Sequence, residues 1–209
     1  MILDLHSHSV RSDDGRAKVE NYCQWIRRKQ LPLDGFVLTE HRQFDVESDY
    51  RKLEDEFELL ILKASEVETE YGHVLVFGVN EDLQSALDFS RIDLPLARVI
   101  EETRKHDAIA VPCHPGRVTV GMCAHVETLG PVEGVEVIET LNGGSRGTEN
   151  EEAIALAETH GYRGVGGSDA HIVSFLGRCA TRFDNDLTSI EDLVRELKGG
   201  AFEALSFRA

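Results

Sequence analysis

Cysteine is scarce and unpaired in this chain: Cys23, Cys113, Cys123 and Cys179 are the only four, with no C-x-x-C spacing among them. That excludes the paired-thiol pattern of zinc knuckles and thioredoxin-type redox sites, and the four read as small buried hydrophobes. Cys113 stands directly before a histidine, but a Cys-His dipeptide alone is a weak cue for a nucleophile. Basic residues are also few, 22 Lys and Arg against 38 Asp and Glu, which gives a formal charge of −16. Such an excess disfavours electrostatic binding to nucleic acid or to an anionic membrane face. No apolar run approaches the ~18–20 residues of a membrane span, and the start Met1-Ile2-Leu3-Asp4-Leu5-His6 lacks a basic, apolar leader. The expectation is a cytoplasmic protein with no membrane partner and no stable nucleic-acid complex. Nothing reads as a linker, repeat or low-complexity tract, so the 209 residues are expected to form a single domain, 1–209.

What is present is an alternation of short apolar runs with helical patterns. Strands are predicted at Ile2–Leu5, Gly35–Thr39, Leu59–Ser65, His73–Val79, Ala108–Pro112, Gly134–Glu139, Gly164–Gly167 and Cys179–Phe183. A first helix is predicted over about Ala17 to Lys29, where Val19, Tyr22, Cys23 and Ile26 share one face. A second starts near Pro95. A third runs from Glu149 to His160 and stops at Gly161, and a fourth opens on a capping box from Thr188 to Glu191. This pattern predicts an α/β fold with a largely parallel sheet covered by helices, and the length suits a compact barrel short of eight full units. The interval from Asn80 to Ile109 holds one predicted helix and no room for a sizeable inserted subdomain.

Six of the nine histidines fall at the edges of predicted strands: His6, His8, His41, His73, His114 and His171. In a parallel α/β barrel the loops after the strands meet at one face, so these residues converge. Carboxylates accompany them, since Asp13 and Asp14 follow His8, Glu66 ends the third strand and Asp169 precedes His171 by two. Imidazole with carboxylate suits zinc, manganese or iron, and a set this large exceeds what one tetrahedral ion uses. The spacing of two in His6-x-His8 and Asp169-x-His171 points both members of each pair to one side of an extended segment. His106 and His160 read as ordinary residues of helix C-termini, and the neighbours of His125 suggest packing.

These motifs resemble the PHP (polymerase and histidinol phosphatase) superfamily of metal-dependent phosphoesterases. The resemblance runs from Asp4-Leu5-His6-Ser7-His8-Ser9 through Thr39-Glu40-His41, Glu66, His73 and His114-Pro115 to Gly167-Ser168-Asp169-Ala170-His171. Glu40 stands where the family usually has Asp, which alters the hydrogen bonding around His41. The resemblance implies a distorted (β/α)7 barrel of the PHP type holding two to three divalent ions. It implies one ion on His6, His8, Glu66 and Asp169, a second on Glu66, His73 and His114, and a third on Asp13, His41 and His171. The family spacing selects Asp13, with Asp14 as the alternative. Three such ions would bring about +6 against about −3 from the ligand carboxylates, enough to hold a phosphate in an acidic protein.

The implied reaction is hydrolysis of a small phosphomonoester, of nucleotide or histidinol-phosphate type, by a metal-activated hydroxide, with Glu66 and Asp169 as the central carboxylates. Arg117, Arg42 and Arg178 are the candidate phosphate contacts, and the Asn142–Gly147 loop reads either as a lid with Arg146 at its tip or as a plain glycine turn. Alternative readings are an exonuclease acting on short oligonucleotides, an amidohydrolase-type metal hydrolase, and a non-catalytic domain stabilised by metal. Against the amidohydrolase stand the short chain, His171 and the carboxylate at position 13.

Overall fold

The computed structural model describes residues 1–207. Its strands are β1 (Ile2–Ser7), β2 (Gly35–His41), β3 (Leu60–Thr69), β4 (Gly72–Phe77), β5 (Ile109–Pro112), β6 (Val137–Asn142), β7 (Arg163–Gly167), β8 (Cys179–Phe183) and β9 (Phe202–Ser206). The helices are α1 (Val19–Lys29), α2 (Arg51–Phe57), α3 (Glu81–Ala86), α4 (Leu96–Lys105), α5 (Met122–Leu129), α6 (Glu149–His160) and α7 (Ile190–Gly199). Seven strands form one curled sheet in the order β5-β4-β3-β2-β1-β8-β9, and β6 pairs with β7 in parallel. The pair closes the ring: β6 packs against β5, and β7 packs against β1. Asp169 N donates to His6 O at 2.7 Å and His8 N to Ala170 O at 2.8 Å, which fastens the exit of β7 to the end of β1. The architecture is a distorted α/β barrel of the PHP type.

The sheet is mixed, where the alternation predicts a largely parallel one. β1, β2 and β3 run parallel, but β4 is antiparallel to β3, β5 to β4, and β8 to both β1 and β9. The reason is visible at Thr69 and Gly72, which pair across a two-residue turn too short for the crossover that parallel strands need. The reversal matters for the site. It brings the start of β4, with His73, to the same mouth as the ends of β3 and β5.

A period of two sorts the strands. Leu3 and Leu5 of β1, Val37 of β2, Leu62 and Ala64 of β3, Leu75 and Phe77 of β4, and Ile109 and Val111 of β5 fill the barrel interior, closed from below by Leu193, Val194 and Leu197 of α7. The alternate positions face the covering helices. Phe36 and Leu38 meet Tyr22, Cys23 and Ile26 of α1, while Val74, Val76 and Ile138 meet Leu96, Val99 and Ile100 of α4. Helix α6 has the predicted bounds, with Gly161 at its C-cap in the left-handed region. Pro95 is the N-cap of α4, one residue before the helix. The capping box of α7 sits one residue later than predicted: Ser189 Oγ accepts from Asp192 N at 3.2 Å. Three helices and one strand go beyond the sequence reading. Helices α2, α3 and α5 have six to eight residues, too few to show a 3.6-residue period, and β9 is a half-exposed edge strand. The interval from Asn80 to Ile109 therefore carries two helices, α3 and α4.

Candidate metal centre

The interior rows that are apolar at the bottom of the barrel turn polar at its mouth. On β3 the row Leu62, Ala64 continues to Glu66; on β2, Val37 and Thr39 continue to His41; on β7, Val165 and Gly167 continue to Asp169. On β1 the pairing register shifts between Asp4 and Ser7, and such an irregularity re-aims the side chains that follow it. His6 and His8 consequently join the cluster.

Four donors meet at its centre. Glu66 Oε2 is 3.0 Å from His6 Nε2 and 3.1 Å from His8 Nε2; Asp169 Oδ1 is 3.4 and 3.3 Å from the same two nitrogens, which are themselves 3.1 Å apart. The other oxygen of Glu66 faces His73 Nδ1 at 2.6 Å and His114 Nε2 at 3.2 Å. On the third side His41 Nε2 and His171 Nε2 are 3.4 Å apart, and the His8 ring stacks against each of them at centroid distances of 4.2 and 4.3 Å. All nine sequence-predicted metal positions thus lie at one mouth, and the donor atoms of eight of them converge. Asp13 lines the same mouth, but its carboxylate pairs with Arg42 at 2.9 Å, while Asp14 Oδ2 lies 3.0 Å from His171 Nε2 and 3.6 Å from His41 Nε2. The loop that follows His8 bends tightly on Glu40, which accepts from the Ser9 and Ser12 hydroxyls at 2.6 Å each, and this bend presents Asp14 in place of its neighbour.

The donor set fits metal ions. Ligands about 2.0–2.1 Å from a tetrahedral zinc stand roughly 3.3–3.4 Å from one another, close to the separations of the four central donors. Two imidazole nitrogens in contact at 3.1 Å need a shared cation or proton, and His114 Nδ1 is a buried nitrogen without a hydrogen-bond partner. The electrostatics agree. Burial opposes a charge on His6, yet Glu139, Asp169 and Glu66 together hold its imidazole well above its ordinary range, and Asp169 and Glu66 raise the equally buried His8 to about 9. Burial would raise the carboxyls of Glu66 and Asp169, but His6 and its neighbours hold both well below the usual carboxylate range. The mouth is therefore built of anions looking for positive charge. His41, where burial and the adjacent His8 outweigh Glu66, falls to about 4 and is a neutral donor.

Glu139 is the residue the sequence reading missed. It is buried within β6, accepts from His6 Nδ1 at 3.0 Å, and also accepts from His114 N and Asn142 Nδ2 at 2.8 Å each. Its signal in the sequence is an acid closing the predicted run Gly134–Glu139, whose observed counterpart β6 starts three residues later, at Val137. Gly167 is required beside it, because a Cβ there would come within 2.4 Å of His6 Cβ and 2.7 Å of the Glu139 carboxylate.

Of the three predicted phosphate contacts, Arg117 and Arg42 line the mouth beside the metal positions, and Arg117 is hydrogen-bonded to Asp169 and, at 3.0 Å, to Asn142 Oδ1. Arg42 is engaged by Asp13 and Glu68, and Arg178 stacks on Phe175 at 3.4 Å. A cavity of about 700 Å³ opens beside the metal positions, sharing Asp14, Arg117, Asp169 and His171 with them and reaching Arg16, Arg146 and the apolar Val118, Ile172 and Phe175. Arg16 carries no signal in the sequence that separates it from other surface arginines. His125 lies on α5, its Nε2 3.4 Å from Thr119 O.

Residues 147–202 match the model of the PHP-associated family, a span from the start of α6 to the start of β9. No curated protein sequence matches the chain. Among solved structures, the fold is similar to that of a two-domain protein of Bacteroides vulgatus containing a predicted PHP-like metal-dependent phosphoesterase (TM-score 0.67, 20% identity, 99% of this chain and 64% of that one). It is similar also to Endonuclease Q in complex with a 27-mer duplex carrying an abasic lesion (0.66, 15%, 97% and 58%) and to an amidohydrolase of Chromobacterium violaceum with bound sulfate and no metal (0.64, 16%, 94% and 95%). The chain spans less than two thirds of the first two.

Proposed function

Taking the chain as PHP-like in fold and in its C-terminal segment, we propose that it is a metal-dependent hydrolase acting on a small phosphomonoester. The observation that carries this reading is the convergence of His6, His8, Glu66 and Asp169 within 3.0–3.4 Å at a barrel mouth that also holds Arg117. Bound there, two or three divalent ions, zinc, manganese or iron, would supply an activated water and neutralise phosphoryl oxygens. The chain's own residues do the rest. Glu66 presents one oxygen to His6 and His8 and the other to His73 and His114, so it is placed to bridge two ions. Glu139 keeps the Nδ1 proton on His6 and leaves its Nε2 lone pair facing the cluster. Arg117, reaching from the loop after β5, is placed to grip a phosphoryl oxygen with a charge-assisted hydrogen bond.

The cavity supports this substrate class. About 700 Å³ accommodates a small molecule, its rim offers Arg16 and Arg146 to anionic groups, and Val118, Ile172 and Phe175 offer an apolar wall. The overall charge of −16 provides no basic track for a long polyanion, which favours a small ester over an oligonucleotide. The test is a screen of phosphate esters, with an amide panel and short oligonucleotides alongside, using protein reloaded with zinc, manganese or iron and assayed for metal content. Turnover of phosphomonoesters with two to three ions per chain is expected. Turnover confined to amides or oligonucleotides would overturn the substrate class, and less than one ion per chain after reloading would overturn the centre itself.

A further inference from the structure

Cys113 enters the sequence as a buried hydrophobe, and the fold gives it a different position. It continues the interior row Ile109, Val111, Cys113 past the end of β5, the same register that carries the other strands' polar residues into the mouth. Its side chain is fully buried, yet its sulphur faces two polar atoms: His114 Nε2 at 3.4 Å and Glu66 Oε1 at 3.5 Å, which are 3.2 Å from each other. His114, 2% exposed, has no hydrogen-bond partner at Nδ1 and turns Nε2 into this group. A sulphur about 2.3 Å and a nitrogen or oxygen about 2.0–2.1 Å from one tetrahedral ion stand roughly 3.5 Å apart. The two sulphur separations have that size, and with His6 these donors fall within 4.8 Å of one another.

We propose that Cys113 is a thiolate ligand of the metal position formed by His114 and Glu66. This rests on the metal-centre reading above and adds the donor that sets which ion the position takes. On binding, the thiol proton passes to solvent and the sulphur lone pair enters the metal's coordination sphere, with no change of oxidation state. A thiolate softens an otherwise nitrogen and oxygen set, so this position selects zinc or cobalt over manganese and magnesium.

The experiment uses the full chain, stripped of metal and titrated with cobalt(II), whose visible bands report coordination and whose near-ultraviolet thiolate charge-transfer band reports a sulphur ligand. The wild type is expected to show both, Cys113→Ser and Cys113→Ala to keep the visible bands and lose the charge-transfer band, and Cys123→Ser to keep both. In zinc–manganese competition, Cys113→Ala should lose about tenfold or more of the zinc preference, since even residues behind the ligands carry that much. Visible bands without charge transfer in the wild type would overturn the Cys113 assignment and leave the metal centre standing, and that result depends on no variant folding. Charge transfer persisting in Cys113→Ser would overturn it equally. Failure of the wild type to take up cobalt or zinc at all would overturn the metal centre and this ligand together.

Discussion

The Glu139 carboxylate accepts a hydrogen bond from His6 Nδ1 at 3.0 Å, a contact between residues 133 positions apart that fixes which nitrogen of His6 faces the cluster. The same carboxylate holds the His114 backbone N–H and the Asn142 amide, and Asn142 in turn accepts from Arg117. One buried anion thus aligns a ligand histidine, the turn carrying a second histidine, and the arginine over the centre. His114 and Asp169 keep left-handed backbones, φ 33° and 54°, which surrounding hydrogen bonds must hold in place.

Glu139→Gln leaves a neutral group with one acceptor oxygen among three donors. Metal affinity should fall roughly ten- to a hundred-fold, the usual effect of losing a carboxylate behind a ligand histidine. Zinc competition titration measures it, with circular dichroism confirming the fold; unchanged affinity would show that His6 needs no partner.

Asp14 and Asp13 separate cleanly. Asp14→Asn removes the carboxylate beside His171 and His41 and should lower the number of tightly held ions by one. Asp13→Asn removes only the exposed partner of Arg42 and should leave ion content unchanged. The reverse result by elemental analysis would restore the position that family spacing selects.

That pair shows where sequence reading stops. The period of two in the strands and the strand-edge histidines were enough to read the barrel and eight of the converging positions, because burial and side-chain alternation are local properties. The choice between Asp13 and Asp14 depends on how Glu40 gathers Ser9 and Ser12, a contact across 28 to 31 residues that no local pattern encodes. Glu139 and Cys113 were hidden for a related reason. Glu139 lies inside β6 and Cys113 just past the end of β5, in stretches that read as buried, and only the closed ring shows that these inward positions belong to the mouth.

The metal-free protein should lose stability as pH rises. His8, raised to about 9 by Asp169 and Glu66 against burial, lies above its unfolded value of 6.5, so its contribution is complete below pH 6.5 and is lost on approaching pH 9. Asp4, raised by burial to about 6, works in a lower window: the folded state keeps a proton that the unfolded chain has released, and stability falls as pH climbs from about 4 to 6. Between pH 6.5 and 9 the melting temperature of chelated protein should drop by something on the order of 5 °C. Zinc-loaded protein should show a flatter profile and a higher melting point, because a ligated nitrogen has no proton to lose and the ions bind only the folded state. A flat profile without metal would mean that His8 is neutral in the fold.

Glu66 and Arg117 meet the same centre and should fail differently. Glu66→Gln removes the charge shared between the His6–His8 side and the His73–His114 side, so ion content and turnover should fall together. Arg117→Ala removes a donor aimed at the substrate; a charge-assisted hydrogen bond of ~1.5–3 kcal/mol corresponds to roughly a ten- to hundred-fold loss in kcat/KM, with ion content unchanged. Arg178→Ala, whose guanidinium stacks on Phe175, should stay near wild-type kcat/KM and serves as the control. Metal analysis beside kinetics decides among them. Loss of ions in Arg117→Ala would reassign that arginine to holding Asp169 in place, and full activity in Glu66→Gln would remove the bridging carboxylate from the reaction.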